Sequence, residues 1–388
     1  MKSNYEPLSK HIRLVDYRNS EEVTSTVLGI SIDKEFMPSV ANVIGTDLSR
    51  YKLISKGLFA CNPMHVGRDE RLPIALYEKA NPAIVSPAYF MFEIIDHDIL
   101  NEEYLMMWFR RPEFDRECWF MTDGSVRGGI TWDDLCRIKL PVPSYARQCE
   151  IVESYRAITN RIALKRAEND NLEATAMSLY KSWFIDYEPF DLDDEGLPVG
   201  WCKEKLNDKL STSTQSINPQ KMDCDFVWHY SIPAYDNEKL PSKDTPSSIL
   251  SNKYIVPQNA ILVSKLNPDT KRIWRSVPCF ENAICSTEFI VFSTKEPTHR
   301  AFYYLLFNTG SFIDFLVSNA TGSTNSRMRV KPASSLDFEF ICPPNEVIDS
   351  FCRKVEPLLQ KIEENHLEIR KLKELIPIAV AKMMSSSR

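Results

Sequence analysis

Two stretches of this 388-residue chain share one apolar spacing, in one phase, 200 residues apart. In the first, Ile151, Tyr155, Ile158, Ile162, Lys165, Asn169, Leu172, Ala176 and Leu179 step by four and three without a break. In the second, Phe351, Val355, Leu358, Ile362, Asn365, Ile369, Leu372, Ile376 and Ala379 do the same. That is the heptad signature of a helix whose apolar seam faces another helix. Subtracting the first set from the second (351 − 151 through 379 − 179) returns 200 each time, so the chain reads as a tandem duplication. The seam reading sets Ile151, Tyr155, Ile158, Ile162, Leu172 and Leu179 against Phe351, Val355, Leu358, Ile362, Ile369 and Leu372. Lys165, Asn169 and Asn365 place polar side chains in the seams, which costs stability and fixes register. The plainer alternative is two surface helices, each covering its own domain's core.

The length predicts two or three domains with room for real cores. A hydrophobic content of 43% and a charged content of 26% fit a soluble globular protein. No apolar run reaches the length that crosses a bilayer. The opening MKSNYEPLSKHIRL lacks the apolar core of a secretory signal, which points to the cytoplasm. Ten cysteines without a CxxC pair or zinc spacing read as reduced thiols. A net charge of −6 argues against indiscriminate coating of nucleic acid and leaves room for local basic patches.

Between Tyr5 and Pro143 the pattern is mixed α+β. Tyr51–Cys61 alternates like a strand pair around Lys56-Gly57, and Ala83–Phe92 reads as strand, turn, strand. Tyr104 to Phe114 reads as a short aromatic amphipathic helix. The second half repeats this plan. Ala283-Ile284 matches Ala83-Ile84 at 200, while Phe307, Phe312 and Gly322-Ser323 match Phe109, Phe114 and Gly124-Ser125 at 198. The prolines at 141, 143, 343 and 344 stop each half before its seam helix. Elsewhere the halves diverge, so a scaffold repeats while its surfaces differ.

Positive charge collects at Lys52, Lys56, Arg68 and Arg71, diluted by Asp69 and Glu70, and again at Arg127 beside Ser125. In the second half Lys265, Lys271, Arg272 and Arg275 are opposed by Asp269 only. The loop Thr321–Lys331 carries Arg327, Arg329 and Lys331 with no acid. Thr324, Asn325 and Ser326 stand among those charges, side chains able to meet phosphates or base edges. Solvated surface loops are the simpler reading of each run. The aromatic, acidic stretch around Trp183 and Phe184 either caps the helix against a domain or offers a docking surface to another protein.

The chain has no phosphate loop, dinucleotide turn or zinc-enzyme motif, its six histidines are dispersed, and it has only 11 glycines. No catalytic or metal-ligating residues are assigned, and the chain is expected not to be an enzyme.

The duplicated plan, the strand–proline exits Leu140–Pro143 and Ile341–Pro344, the loops Gly124–Arg127 and Gly322–Arg327, the helix end Leu179–Phe184 and the opening Gly196–Trp201 together resemble the specificity subunit of type I restriction–modification systems. The first half departs by starting at Tyr5-Glu6-Pro7-Leu8 without a Leu-Pro-x-Gly-Trp lead-in. The resemblance implies an α+β chain with two target recognition domains (1–146 and 189–344) and two long antiparallel coiled-coil spacer helices (147–188 and 345–388). Each recognition domain would read half of a bipartite site in double-stranded DNA. The helices, with Trp183 and Phe184, would dock two methyltransferase subunits, and motor–nuclease subunits would join them. S-adenosylmethionine, ATP and magnesium would be used by those partners, not bound here. The rival readings are a self-contained DNA-modifying enzyme and a coiled-coil scaffold that does not bind DNA.

Overall fold

In the computed structural model, residues 5–39, 45–64, 66–122, 128–277, 280–322 and 328–385 are described. The chain divides into two compact units, residues 1–161 with 372–388 and residues 162–371.

The first unit contains β1 (Tyr5–Pro7), β2 (Ile12–Val15), β3 (Val27–Ile30), β4 (Phe36–Pro38), β5 (Lys52–Ile54), β6 (Phe59–Cys61), α1 (Val66–Asp69), β7 (Ile74–Leu76), β8 (Ala83–Val85), β9 (Phe90–Ile94), α2 (Glu102–Phe109), α3 (Pro112–Phe120), α4 (Trp132–Arg137), β10 (Lys139–Pro141) and the start of α5 (Tyr145–Phe184). Its strands form two four-stranded sheets, ordered β2-β9-β6-β7 and β4-β3-β8-β5, with β1 paired to β10.

The second unit takes the rest of α5, then β11 (Cys202–Lys205), α6 (Leu206–Lys209), β12 (Leu210–Ser213), β13 (Ser216–Ile217), β14 (Val227–Tyr230), α7 (Ile232–Glu238), β15 (Ser242–Asp244), β16 (Lys253–Ile255), β17 (Ile261–Ser264), β18 (Ile273–Arg275), β19 (Ala283–Cys285), β20 (Phe289–Thr294), α8 (Arg300–Phe307), α9 (Gly310–Ser318), α10 (Pro332–Ser335), β21 (Glu339–Cys342) and most of α11 (Asn345–Ser385). Its sheets run β12-β20-β17-β18 and β13-β16-β19-β14-β15, and β11 pairs with β21. Apart from the added β13, this is the first unit's topology strand for strand. It includes the parallel pair β14–β19, which corresponds to β3–β8.

The repeated core explains the repeated aromatics. Phe92 of β9 meets Phe109 of α2 at 6.2 Å between centroids, and Phe109 meets Phe114 of α3 at 4.9 Å. Phe292, Phe307 and Phe312 make the corresponding chain at 4.7 and 4.5 Å. Aromatic pairs at such separations bury large apolar area in preferred geometries. The stretch from Tyr104 to Phe114 is two helices rather than one, with Pro112 opening the second, and Tyr104–Phe109 is buried all round.

Two expected hairpins do not form. β5 pairs with β8, whereas β6 pairs with β9 and β7. β8 and β9 likewise lie in different sheets. The turn between β5 and β6 carries Gly57 at φ +90°, a conformation that favours glycine, and it hands the chain from one sheet to the other. A strand buried along its whole length, as β6 is, can be flanked by sheet partners that its sequence neighbours do not supply.

The long helices are anchored by more than their seams. Gln148, fully buried, accepts from the Asn101 backbone at 2.9 Å and donates to the carbonyls of Ile99 and Pro143. In the first unit Ile151, Val152 and Val380 share one cluster with α2 and α3 residues. In the second, Ala176, Tyr180 and Phe184 share another with Phe351, Val355, Leu359 and Ile362. Phe184 meets Phe351 at 4.7 Å, while Lys165 and Asn169 meet Asn365. Ascending residues of α5 therefore face descending residues of α11, and the pair is antiparallel.

Candidate nucleic-acid interface

In both units the segment after the second core helix is stitched to the loop joining β6 to β7, or β17 to β18. In the first, Ile130 N–H donates to the Pro63 carbonyl at 3.1 Å and Gly67 N–H to that of Gly128 at 3.0 Å. In the second, Val330 N–H donates to the Lys265 carbonyl at 3.0 Å and Asn267 N–H to that of Met328 at 2.8 Å. Ile130 and Val330 stand one repeat apart, and both are buried. Their burial pins each basic segment to the other, so the two charged runs of the second half form one surface.

On that surface Lys265 is half-buried, and Lys271 and Lys331 are exposed. Lys271 donates to the Asn308 carbonyl at 3.3 Å. Arg329 is held twice. Its backbone exchanges both hydrogen bonds with Thr321 at 2.9 Å, and its Nε and Nη2 donate to the Glu288 carboxylate at 3.0 and 3.1 Å. Arg272 makes the same fork with Asp236 at 2.6 and 2.9 Å. In the first unit Lys56 is exposed in the β5–β6 turn, Arg68 forks onto Asp69 at 2.7 and 2.9 Å, and Arg71 reaches Asp33 at 3.3 Å. Ser125, Arg127, Thr324, Asn325, Ser326 and Arg327 lie outside the described residues.

The acids opposing these cations are more numerous than the local sequence implied. Asp269 is not the only one near the first cluster of the second half, and the Thr321–Lys331 loop is not without an acid. Asp236 and Glu288 come from α7 and the β19–β20 turn, 36 and 41 residues away in sequence. No spacing rule marks such partners.

Arg275 is a correction. It ends β18 at 6% exposure, and its Nη2 donates to Glu356 at 2.5 Å while Nε lies 3.2 Å from Glu363. Glu356 and Glu363 are one heptad apart on α11, so both carboxylates face the same strand end. Arg300, equally buried, joins them, and burial together with the neighbouring Arg275 charge pushes its guanidinium down to about 10. A charge buried and paired in this way is not available to a phosphate.

The docking assignment is corrected for Phe184, which its own chain buries, while Trp183 stays partly exposed. Phe184 is 8% exposed and packs on Phe351, Phe302 and Trp201 at 4.7, 4.9 and 5.7 Å. Half-buried Trp183 lies against Phe351 and Phe190. These rings cap the helix within the second unit, because the turn after α5 folds Phe190 and Trp201 back over them.

Of the seam residues, Ile151, Ile162, Phe351, Val355, Ile362 and Ile369 are buried. Tyr155, Ile158, Leu172, Leu179, Leu358 and Leu372 are half-buried. The buried face is wider than a heptad stripe: Val152, Tyr180, Ile348, Cys352 and Leu359 are also buried, because each helix packs on a domain core as well as on its mate.

No family model matches the chain. It is 23% identical over 317 residues to the type I restriction enzyme MjaIX specificity subunit of Methanocaldococcus jannaschii, covering 75% of this chain and 70% of the relative. It is 20% identical over 328 residues to the HindI specificity subunit of Haemophilus influenzae, covering 66% and 70%. In fold it is similar to the type I restriction–modification S subunit of M. genitalium, with a TM-score of 0.57, 12% identity, and coverage of 98% of this chain and 95% of that one. The likeness to type I specificity subunits that the residues suggest is thus found again in curated relatives and in a match of the whole fold.

Proposed function

We propose that this chain is the DNA sequence-specificity subunit of a type I restriction–modification complex. Each unit's recognition domain reads one half of a bipartite duplex target, residues 1–146 for the first half and 189–344 for the second. The observation that carries this reading is duplication without identity. One topology occurs twice and joins the same two loops, and the side chains on those loops differ. A fold repeated with altered surfaces suits two different half-sites, and separated contacts add, at about 1–3 kcal/mol for each mismatched pair.

Two methyltransferase subunits assemble on the helices 147–188 and 345–388, and motor–nuclease subunits join them. Those partners carry S-adenosylmethionine, ATP and magnesium, and the complex works in the cytoplasm. Among the described residues no helix is long and apolar enough to cross a membrane. Modifying a base requires flipping it from the stack, a task for the partner once this chain has set the register.

Mapping methylated adenines in a genome carrying this gene and its methyltransferase tests the reading. A single bipartite, asymmetric motif is expected. Methyl transfer by the purified chain alone, or a genome unmodified when both proteins are expressed, would refute it.

A further inference from the structure

We infer that Glu288 is a positioning residue that presents Arg329 to a guanine in the half-site read by the second unit. This rests on the DNA-reading role proposed above.

An arginine that merely neutralises phosphate gains nothing from a carboxylate beside it, because the acid cancels its charge and repels the backbone. An arginine that reads a base needs a fixed plane and a defined free edge. Arg329 has both. Its backbone is locked to Thr321 on either side, and Leu266 bridges it across the loop. Glu288 occupies the Nε–Nη2 edge. Among the described residues Nη1 and the outer hydrogen of Nη2 have no partner. That remaining edge offers two parallel donors, the pattern that meets O6 and N7 of guanine in the major groove.

The side chain is accessible as well as fixed, with Arg329 at 46% exposure and Glu288 at 27%. The other forks fit less well. Arg272 is only 15% exposed, and Arg68 takes its carboxylate from its immediate sequence neighbour.

The first unit cannot do the same at this place. One repeat before Arg329 stands Gly129, where an added Cβ would lie 2.9 Å from the Pro63 carbonyl oxygen. Ala88 stands one repeat before Glu288. Reader and buttress are therefore present in one half and absent from the other, as an asymmetric target requires.

The test is selection from a randomised duplex library with the full chain, comparing wild type, Arg329→Lys, Glu288→Ala and Glu288→Gln. Wild type should enrich a guanine at one position of one half-site. Arg329→Lys keeps the charge and should bind unselected DNA within a few-fold of wild type, yet lose about tenfold or more of that guanine preference. Glu288→Ala should lose a comparable share at the same position while its affinity for unselected DNA rises. Glu288→Gln, which retains one acceptor, should recover part of the preference. If Arg329→Lys and Glu288→Ala select the wild-type motif unchanged, the assignment is wrong although DNA reading stands. If wild type enriches no sequence, DNA reading itself fails and takes the assignment with it.

Discussion

Lys165 Nζ donates to Asn365 Oδ1 at 3.0 Å, and these two residues occupy the same place in successive repeats. A residue meeting its own repeat mate marks the point about which two antiparallel copies of one helix are related. Around it Asn365 donates to Asn169 at 2.8 Å, and Lys165 reaches both Glu168 and Glu368, themselves repeat mates. The seam's polar positions therefore form a single layer.

Replacing Asn365 by leucine would leave the buried Asn169 side-chain oxygen without its donor, while Lys165 keeps Glu168 and Glu368. A buried polar group left unpaired costs about 1–3 kcal/mol, and the variant should be destabilised by that amount in urea unfolding. Replacing Lys165, Asn169 and Asn365 together by leucine should restore or exceed wild-type stability, since the layer becomes apolar and the carboxylates that lose Lys165, Glu168 and Glu368, reach solvent. Equal stability of the single and triple variants would mean the layer is solvated.

Phe184→Ala removes a ring buried against Phe351, Phe302 and Trp201. The expected loss is about 3–5 kcal/mol in the chain by itself, with no partner subunit present. Trp183→Ala, acting on a half-buried ring, should cost less. If both variants unfold like wild type yet fail to assemble with a methyltransferase, the rings belong to a docking surface and not to the core.

Arg275 and the two lysines Lys265 and Lys331 should behave in opposite ways. Arg275→Met leaves Glu356 and Glu363 without their nearest cation, and breaking a buried pair from one side costs about 3–5 kcal/mol. The dependence of DNA affinity on salt should not change. Lys265→Ala and Lys331→Ala should leave stability within about 0.5 kcal/mol, while each lowers the salt slope by about one. A shallower slope for Arg275→Met would return that residue to the interface.

The parts of this structure legible in the sequence are those with a local period or a repeat. The four–three steps of α5 and α11 need no tertiary information. Phe109, Phe114 and their mates at 198 residues are visible because both copies bury them. Strand partners were not legible. β5 and β6 are three residues each, too short for alternation to specify a face, and the switch at Gly57 depends on packing from elsewhere. The fork between Glu288 and Arg329 was hidden for a related reason. The β19–β20 turn links strands of two different sheets, so its place beside the segment before α10 is set by tertiary structure. Phe184 misled because a helix-end aromatic looks the same in sequence whether a domain or a partner covers it.

Two histidines of the second unit make stability depend on acidity. Burial lowers the affinity of His366 for its proton, with the Lys239 charge adding to this and Glu173 and Glu238 opposing it. Burial also lowers His229, against the pull of Asp244 bonded to its Nδ1. In each case the unfolded chain, titrating near 6.5, takes up the proton before the folded one. Stability is then fully present above about pH 6.5 and is lost as pH falls from there toward the folded values. The melting temperature of the chain should hold from about pH 8 to 7 and decline below that window. His366→Gln removes one of the two titrations and should make the decline shallower between about pH 6.5 and 5, before carboxylates begin to protonate. Parallel curves for the variant and wild type would show that His366 charges in the folded state without cost, which its burial beside Lys239 argues against.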